Sequence, residues 1–294
     1  MTRHAALLEA VAGITGDRPV DGRRVGGGDA SEIYEVQLAG GDVVIAKTSL
    51  ADLPGAMVAE AAGLDWLGAA GAVPVPAVRG HDDSWLVMAR VEPGRPSRAA
   101  AEQLGRDLAA LHAAGAPAFG APPPGGPADA WVGLAPMRNE PSADWPEFFA
   151  TQRIEPYLRR VVDEGTLSAS ESREIARVCD RLPEIAGPVE PPARLHGDLW
   201  GGNVHWAADG RAWLVDPAAH GGHRETDLAS LHLFGCPHLD RAVAAYHEVA
   251  PLAPGWADRI PLHQLFLLLV HVVLFGRSYA GSALSAARSA LAAA

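Results

Sequence analysis

The stretch that most constrains this chain runs from Leu195 to Pro217. It reads Leu-His-Gly-Asp-Leu-Trp-Gly-Gly-Asn-Val over residues 195–204 and Leu-Val-Asp-Pro over 214–217. Asp198 is followed five residues later by Asn203, and Asp216 ends an apolar strand. Moving a phosphoryl group to a hydroxyl requires a group that accepts the hydroxyl proton and oxygen ligands that hold Mg²⁺ on nucleotide phosphates. Asp198 suits the first role, and Asn203 and Asp216 suit the second.

A second feature is a scarcity. Lys47 is the only lysine among 24 basic residues, the others being arginine. It closes the run Asp42-Val43-Val44-Ile45-Ala46-Lys47, which reads as a buried strand after a glycine turn. Protein kinases carry a lysine on such a strand, paired with the nucleotide phosphates and a helix glutamate, and their catalytic loop has the same Asp-x4-Asn spacing. A compact ammonium fits that position better than a guanidinium fork. Met57 to Ala70 reads as a helix, and its Glu60 is the candidate partner that orients Lys47. Gly27 and Gly28 lie in the segment 26–31 between two extended stretches, where backbone amides can approach phosphates. Two further strands end in Ala89-Arg90-Val91, followed by Glu92-Pro93-Gly94. That break predicts a hinge whose backbone meets an adenine edge in an interdomain cleft.

At 294 residues the chain has room for two lobes. The expected architecture is α+β: a small β-rich lobe at 1–90 that holds nucleotide, and a larger, mainly helical lobe at 91–294 that carries catalysis and substrate. Net charge is −11, and no basic cluster exceeds a pair of arginines, which argues against nucleic acid and anionic membranes as partners. Two cysteines, Cys179 and Cys236, form no metal spacing or disulfide framework and suit a reducing cytoplasm. The N-terminus reads as an amphipathic helix without a signal-peptide core. Leu265 to Phe275 is the most apolar run, too short to span a bilayer, and predicts a buried helix.

In the second lobe, Leu104, Leu108 and Leu111 mark one apolar helix face. Residues 116–130, rich in Pro, Gly and Ala, read as a loop of limited order, either a flap beside the substrate or a spacer. Trp145, Phe148 and Phe149 read as core. Asp227-Leu228-Ala229 resembles a helix start, which favours a supporting role for His223, Arg224, Glu225 and Asp227 over substrate contact.

Taken together, LHGDLWGGNV, LVDPAAHGGHRETDLA, the following Leu233-Phe234-Gly235, AYHEVAPLAPGWADR and LFLLLVHVVLFGRSY, with GGGDASEIY, VVIAK and MVAEAAGL in the same order upstream, resemble the fructosamine kinase (ketosamine-3-kinase) family over nearly the whole chain. The resemblance implies a bilobal protein-kinase-like fold and an ATP- and Mg²⁺-dependent kinase. Its substrates would be small or protein-bound ketoamines, phosphorylated on the sugar O3 so that the product sheds the sugar. It makes Asp198 the proton acceptor, Asn203 and Asp216 the metal ligands, Lys47 and Glu60 the phosphate-orienting pair, and Ala89, Arg90 and Val91 the hinge. His196 and Trp200 join residues 223–227 as substrate contacts or supports. The family hinge often has glutamate where Ala89 stands, and tyrosines often precede Gly222, where this chain has Ala219-His220-Gly221.

Two other readings compete. A small-molecule kinase of the same fold, acting on an aminoglycoside, choline or homoserine, would share the two aspartates and Asn203 but lack the Trp200 and Gly-His-Arg-Glu context. A non-catalytic nucleotide-binding module would not need a full set of catalytic residue types. Members of bacterial type favour ribulosamines and erythrulosamines, and a monomer or non-covalent dimer is expected.

Overall fold

The computed structural model describes residues 2–27 and 31–293. The first part of the chain forms α1 (Arg3–Thr15), β1 (Pro19–Gly26), β2 (Ser31–Leu38), β3 (Val43–Ser49), α2 (Ala56–Ala69), β4 (Val78–His81) and β5 (Trp85–Ala89). The five strands make one antiparallel sheet in the order β1-β2-β3-β5-β4. Strand alternation then sorts β3 into two faces. Val44 and Ala46 pack with Leu7 and Val11 of α1, whereas Ile45 packs with Met57, Ala61 and Leu64 of α2. Lys47 shares the parity of Ile45, so it must face α2. On α2, Met57, Glu60, Ala61 and Leu64 fall on one stripe at helical spacing, which brings Glu60 to the sheet beneath Lys47.

The rest is largely helical. It comprises α3 (Arg98–Ala113), the hairpin β6 (Asp129–Val132) and β7 (Ala135–Arg138), α4 (Trp145–Phe148), α5 (Glu155–Asp163), α6 (Ala169–Ile185), β8 (Ala193–Leu195), β9 (Val204–Trp206), β10 (Ala212–Leu214), β11 (His220–Gly222), α7 (Arg224–Leu231), α8 (Leu239–Val249), α9 (Trp256–Phe275) and α10 (Ala280–Ala292). A π-helical turn at Phe149–Ile154 joins α4 to α5 and buries Arg153, which donates to Arg138 O at 2.7 Å and Asn139 Oδ1 at 2.6 Å. The helical run Trp256–Ala292 is long and apolar enough to cross a membrane by length and composition, but 56% of its most apolar window is buried inside the protein. A helix apolar on nearly all sides belongs in a core, and Leu265, Phe266, Leu267, Leu268 and Leu269 lie there.

Two expectations are corrected. The segment 116–130 is irregular but not loosely placed. Phe119 and Ser142 exchange backbone hydrogen bonds, Gly120 N donates to Gly221 O at 2.7 Å, and the segment already enters β6 at Asp129. The helix expected to start near Asp227 starts at Arg224, because the His223 side chain caps it by accepting from Glu225 N at 3.2 Å. Asp227 sits in its first turn and is fully buried.

Candidate active site

The catalytic loop lies between β8 and β9, and the loop bearing Asp216 follows β10, which pairs with β9. The β9–β10 hairpin thereby returns Asp216 to Asn203, and Val215 N donates to Asn203 O at 3.1 Å. Asn203 Nδ2 donates to Asp198 O at 2.8 Å and to Asp198 Oδ2 at 3.2 Å, which leaves Asn203 Oδ1 as the atom able to meet a cation. Asp216 adopts a left-handed backbone, φ 55°, uncommon outside glycine. Its side chain is 38% exposed to the cleft.

Lys47 joins the two lobes. Its Nζ lies 2.9 and 2.8 Å from the two Glu60 oxygens and 3.0 Å from Asp216 Oδ1. Burial alone would strip the ammonium of its proton, but the Asp216 and Glu60 charges outweigh it and hold the group above the usual lysine range. One cation serves two carboxylates. Burial, helped by the Asp216 charge and opposed by Lys47, pushes Glu60 upward. Burial also pushes Asp216 up, but Lys47 prevails and holds it below its ordinary value. Burial raises Asp198 to about 7, the Asp216 charge adding to the effect and the Asn203 hydrogen bond opposing it. A carboxyl that titrates near neutrality is matched to proton transfer.

The catalytic loop is fastened from behind. Asp227 accepts from His196 N at 2.8 Å and Gly197 N at 2.9 Å, and meets His112 Nε2 at 3.2 Å. His196 Nε2 lies 2.9 Å from Val215 O, which can only accept, so the proton sits on Nε2 and Nδ1 accepts from Asp198 N at 3.3 Å. His196 therefore ties the Asp198 loop to the Asp216 loop. Gly197 has φ +82°, and a Cβ there would stand 2.1 Å from Ala218 O, so no side chain fits.

Residues 223–227 stay behind the site. Arg224 forks onto Glu190 at 2.6 and 2.7 Å and donates to Pro251 O at 2.9 Å. Glu225 is held by Arg259 at 2.9 and 2.6 Å. Ligand atoms of His223, Glu225 and His263 lie within 4.8 Å of one another. Both Glu225 oxygens are already taken by Arg259, and His263 Nδ1 lies 2.9 Å from Thr226 Oγ1, which leaves a packed polar core rather than a cation cage.

Lys47, Glu60, Asp198, Trp200, Asn203 and Asp216 line a cavity of about 500 Å³ together with Met57, Trp131, Leu134, Leu274 and Phe275. Ala89, Arg90 and Val91 are not among its lining residues. Ala89 N is spent on Ala77 O at 2.8 Å, and the Arg90 guanidinium turns to Glu35 at 2.7 Å. The chain then crosses to the larger lobe and is pinned by Gly94 N to Trp206 O at 2.7 Å. Gly27 has φ +117°, and a Cβ there would meet Ser31 O at 2.2 Å. Gly28 lies outside the described residues. Sequence reasoning missed Trp131, whose indole donates to Pro54 O at 3.1 Å and ties the β6–β7 hairpin to the approach of α2. An isolated aromatic in a Pro/Gly/Ala-rich stretch was its signal.

A lysine and glutamate from an antiparallel sheet and its helix, set against an Asp-x4-Asn loop and a strand-end aspartate, define a protein-kinase-like phosphotransferase. A solved gentamicin–APH(2″)-IIa complex shares the fold with TM-score 0.65 at 14% identity, covering 99% of this chain and 97% of that one. The fructosamine kinase family model matches residues 4–293, and the chain belongs to that family. A solved structure from Thermobifida fusca, assigned as a fructosamine-3-kinase, aligns with TM-score 0.91 and 49% identity over 98% of this chain and 99% of that one. A probable ketoamine kinase of Thermus thermophilus is 35% identical over 87% of this chain and 88% of its own length. The chloroplastic protein-ribulosamine 3-kinase of Arabidopsis thaliana is 30% identical over 89% of this chain and 79% of its own. The chain is an ATP-dependent phosphotransferase that acts on a hydroxyl.

Proposed function

We propose that this enzyme phosphorylates the sugar O3 hydroxyl of ketoamines, with ribulosamines and erythrulosamines preferred over fructosamines, and that it acts in the cytoplasm. The observation that carries the reading is the placement of Asp198, a carboxylate that burial and the Asp216 charge push up to about 7, on the wall of a roomy cavity beside Asn203 and the Lys47–Asp216 pair. Relatives named ketoamine kinase, ketosamine-3-kinase and protein-ribulosamine 3-kinase supply the substrate class.

In this reading Asp198 accepts the proton of the attacking hydroxyl. Asn203 holds the Asp198 carboxylate and its peptide carbonyl together, so the base keeps one orientation. Lys47, locked by Glu60, orients the phosphates of ATP. The lobe at 1–90, with Gly27 and Gly28, holds the nucleotide, and the backbone at Ala89, Arg90 and Val91 would meet it outside the cavity that Asp198 lines, through groups other than Ala89 N, which is bound to Ala77 O. The all-oxygen donor set of Asn203 Oδ1 and the half-open Asp216 carboxylate fits Mg²⁺, a hard cation that keeps several waters. When bound, Mg²⁺ would offset charge on the phosphates. His196 and Asp227 position the loop and do not touch substrate.

The test is a phosphorylation assay across ketoamines of one amine with erythrulose, ribulose and fructose moieties, run with and without Mg²⁺. Highest kcat/KM on the shorter sugars supports the reading. A clear preference for fructosamine overturns the sugar-length assignment. Turnover of aminoglycosides or choline with none of ketoamines overturns the substrate class.

A further inference from the structure

Beside the mouth of the cavity lies an aromatic surface that neither the proton transfer nor the metal ligands account for. Trp200 is 37% exposed, Phe234 42% and Phe275 47%. The Trp200 and Phe234 rings meet edge to face at 5.8 Å. Phe234 continues to His271 at 5.0 Å and Tyr279 at 6.3 Å, and His271 to Phe275 at 5.6 Å. These rings come from the catalytic loop, the turn after α7, α9 and the turn before α10, so they form a built surface rather than one helix stripe. Exposed apolar patches of this kind mark binding surfaces. This one is continuous with the active site, because Trp200 and Phe275 also line the cavity that holds Asp198.

Its charge is selective too. Among the described residues, the charged ones lining the cavity are Lys47, Glu60, Asp198 and Asp216, and Lys47 is shared between Glu60 and Asp216. Among the described residues, no lining cation is left to meet a substrate carboxylate. His271 Nδ1 lies 2.6 Å from Leu267 O, and burial keeps the ring below its usual pKa, hence neutral. Arg277, two residues before Tyr279 in the chain, is drawn off to Glu171 at 2.9 Å and Thr166 O at 2.8 Å. The surface thus offers aromatic faces and negative potential, which suits a protonated amine bearing an apolar group.

We infer that the amine half of the ketoamine binds on the surface formed by Trp200, Phe234 and Phe275, and that the enzyme selects ketoamines whose amine carries an apolar or aromatic substituent without a free carboxylate. The inference rests on the ketoamine reading. Only a few bonds separate O3 from the amine nitrogen, so a sugar presented to Asp198 places the amine close to Trp200, two residues along the same loop.

The experiment compares ribose-derived ketoamines of benzylamine, ethanolamine and glycine, which share the sugar and differ in the amine. The benzylamine adduct should exceed the glycine adduct in kcat/KM by about 10-fold or more, mostly through KM, within the range a hydrophobic pocket supplies. Phe234→Ala, checked for an unchanged melting temperature, should shrink the benzylamine-to-ethanolamine ratio. Equal kcat/KM for the three adducts, or preference for glycine, overturns the inference and leaves the ketoamine reading standing. If Phe234→Ala changes the sedimenting mass and not the ratio, the surface joins copies of the chain and the inference falls. If no ketoamine is phosphorylated while another alcohol is, the underlying reading falls and takes this inference with it.

Discussion

Asp227 Oδ1 accepts the amide hydrogen of Gly197 at 2.9 Å, from a carboxylate with no solvent exposure. The same carboxylate holds His196 N and meets His112, so one buried side chain sets the course of the catalytic loop. Burial pushes it up, but His112 and the loop amide keep it below the usual aspartate range. Asp227→Asn exchanges an acceptor for an amide donor against these donors. We expect a loss of roughly 2–5 kcal/mol in chemical denaturation, the scale for a damaged buried charge network. We also expect a fall of about 10- to 100-fold in kcat with little change in KM for ATP, because the residue positions Asp198 and does not bind nucleotide. Unchanged kcat in a folded variant would detach this network from catalysis.

Asp198→Asn should separate activity from stability. Turnover should drop about 10²- to 10⁴-fold, the usual range for a lost general base. The folded-state pKa of Asp198 is raised to about 7 from an unfolded value of 3.8, so its contribution to stability is full below about 4 and is lost as pH rises through about 7. An ionised Asp198 beside Asp216 therefore strains the ligand-free enzyme at pH 8. Asp198→Asn should melt several degrees higher than the parent at pH 8, and the difference should shrink at pH 5. In the parent, kcat should fall as pH falls through about 7, and the midpoint should move to lower pH when Mg²⁺ is saturating, because a nearby cation favours the ionised carboxylate. A variant that melts lower at pH 8 would rule out the burden assigned to the charge.

What was readable in the sequence is what short-range geometry dictates. The strand period put Lys47 opposite α2, and Asp-x4-Asn is closed within one loop. Groups brought together across long separations were not readable. His112 and Asp227 are 115 residues apart, and the ring pair Phe234–Tyr279 depends on how two helical turns pack. The misplaced start of α7 has a local cause. Asp227 looked like a cap, but burial made it an acceptor for another loop while His223 took the cap. The hinge at 89–91 was placed by a break in pattern, which locates the crossing between sheet and helices but not the course of its carbonyls.

The two thiols should be inert. Burial pushes Cys179 up to about 12, with Glu155 and Asp180 adding to it, and pushes Cys236 up to about 11. Thiolate is the reactive form, so both are poor nucleophiles at neutral pH. Mild peroxide should leave activity within about twofold and produce no disulfide-linked dimer on a non-reducing gel, so that any dimer is non-covalent. A thiol-reversible loss of activity accompanied by such a dimer would contradict this.

Amine labelling can test the nucleotide side with one probe, since Lys47 is the only lysine. It is 8% exposed, tied to Glu60 and Asp216, and held above the usual lysine pKa. The ligand-free enzyme should therefore label at the N-terminal amine first and at Lys47 far more slowly, since only the neutral amine reacts. ATP with Mg²⁺ should slow Lys47 further by at least about 10-fold, in proportion to the fraction of enzyme bound. Glu60→Gln removes one of the two carboxylates that hold the proton, so Lys47 should label faster in that variant and KM for ATP should rise. Peptide mapping by mass spectrometry reads the two amines separately. Equal Lys47 labelling with and without ATP and Mg²⁺ would take Lys47 away from the phosphates, and faster labelling in Glu60→Gln with an unchanged KM for ATP would leave the pair as a structural tie alone.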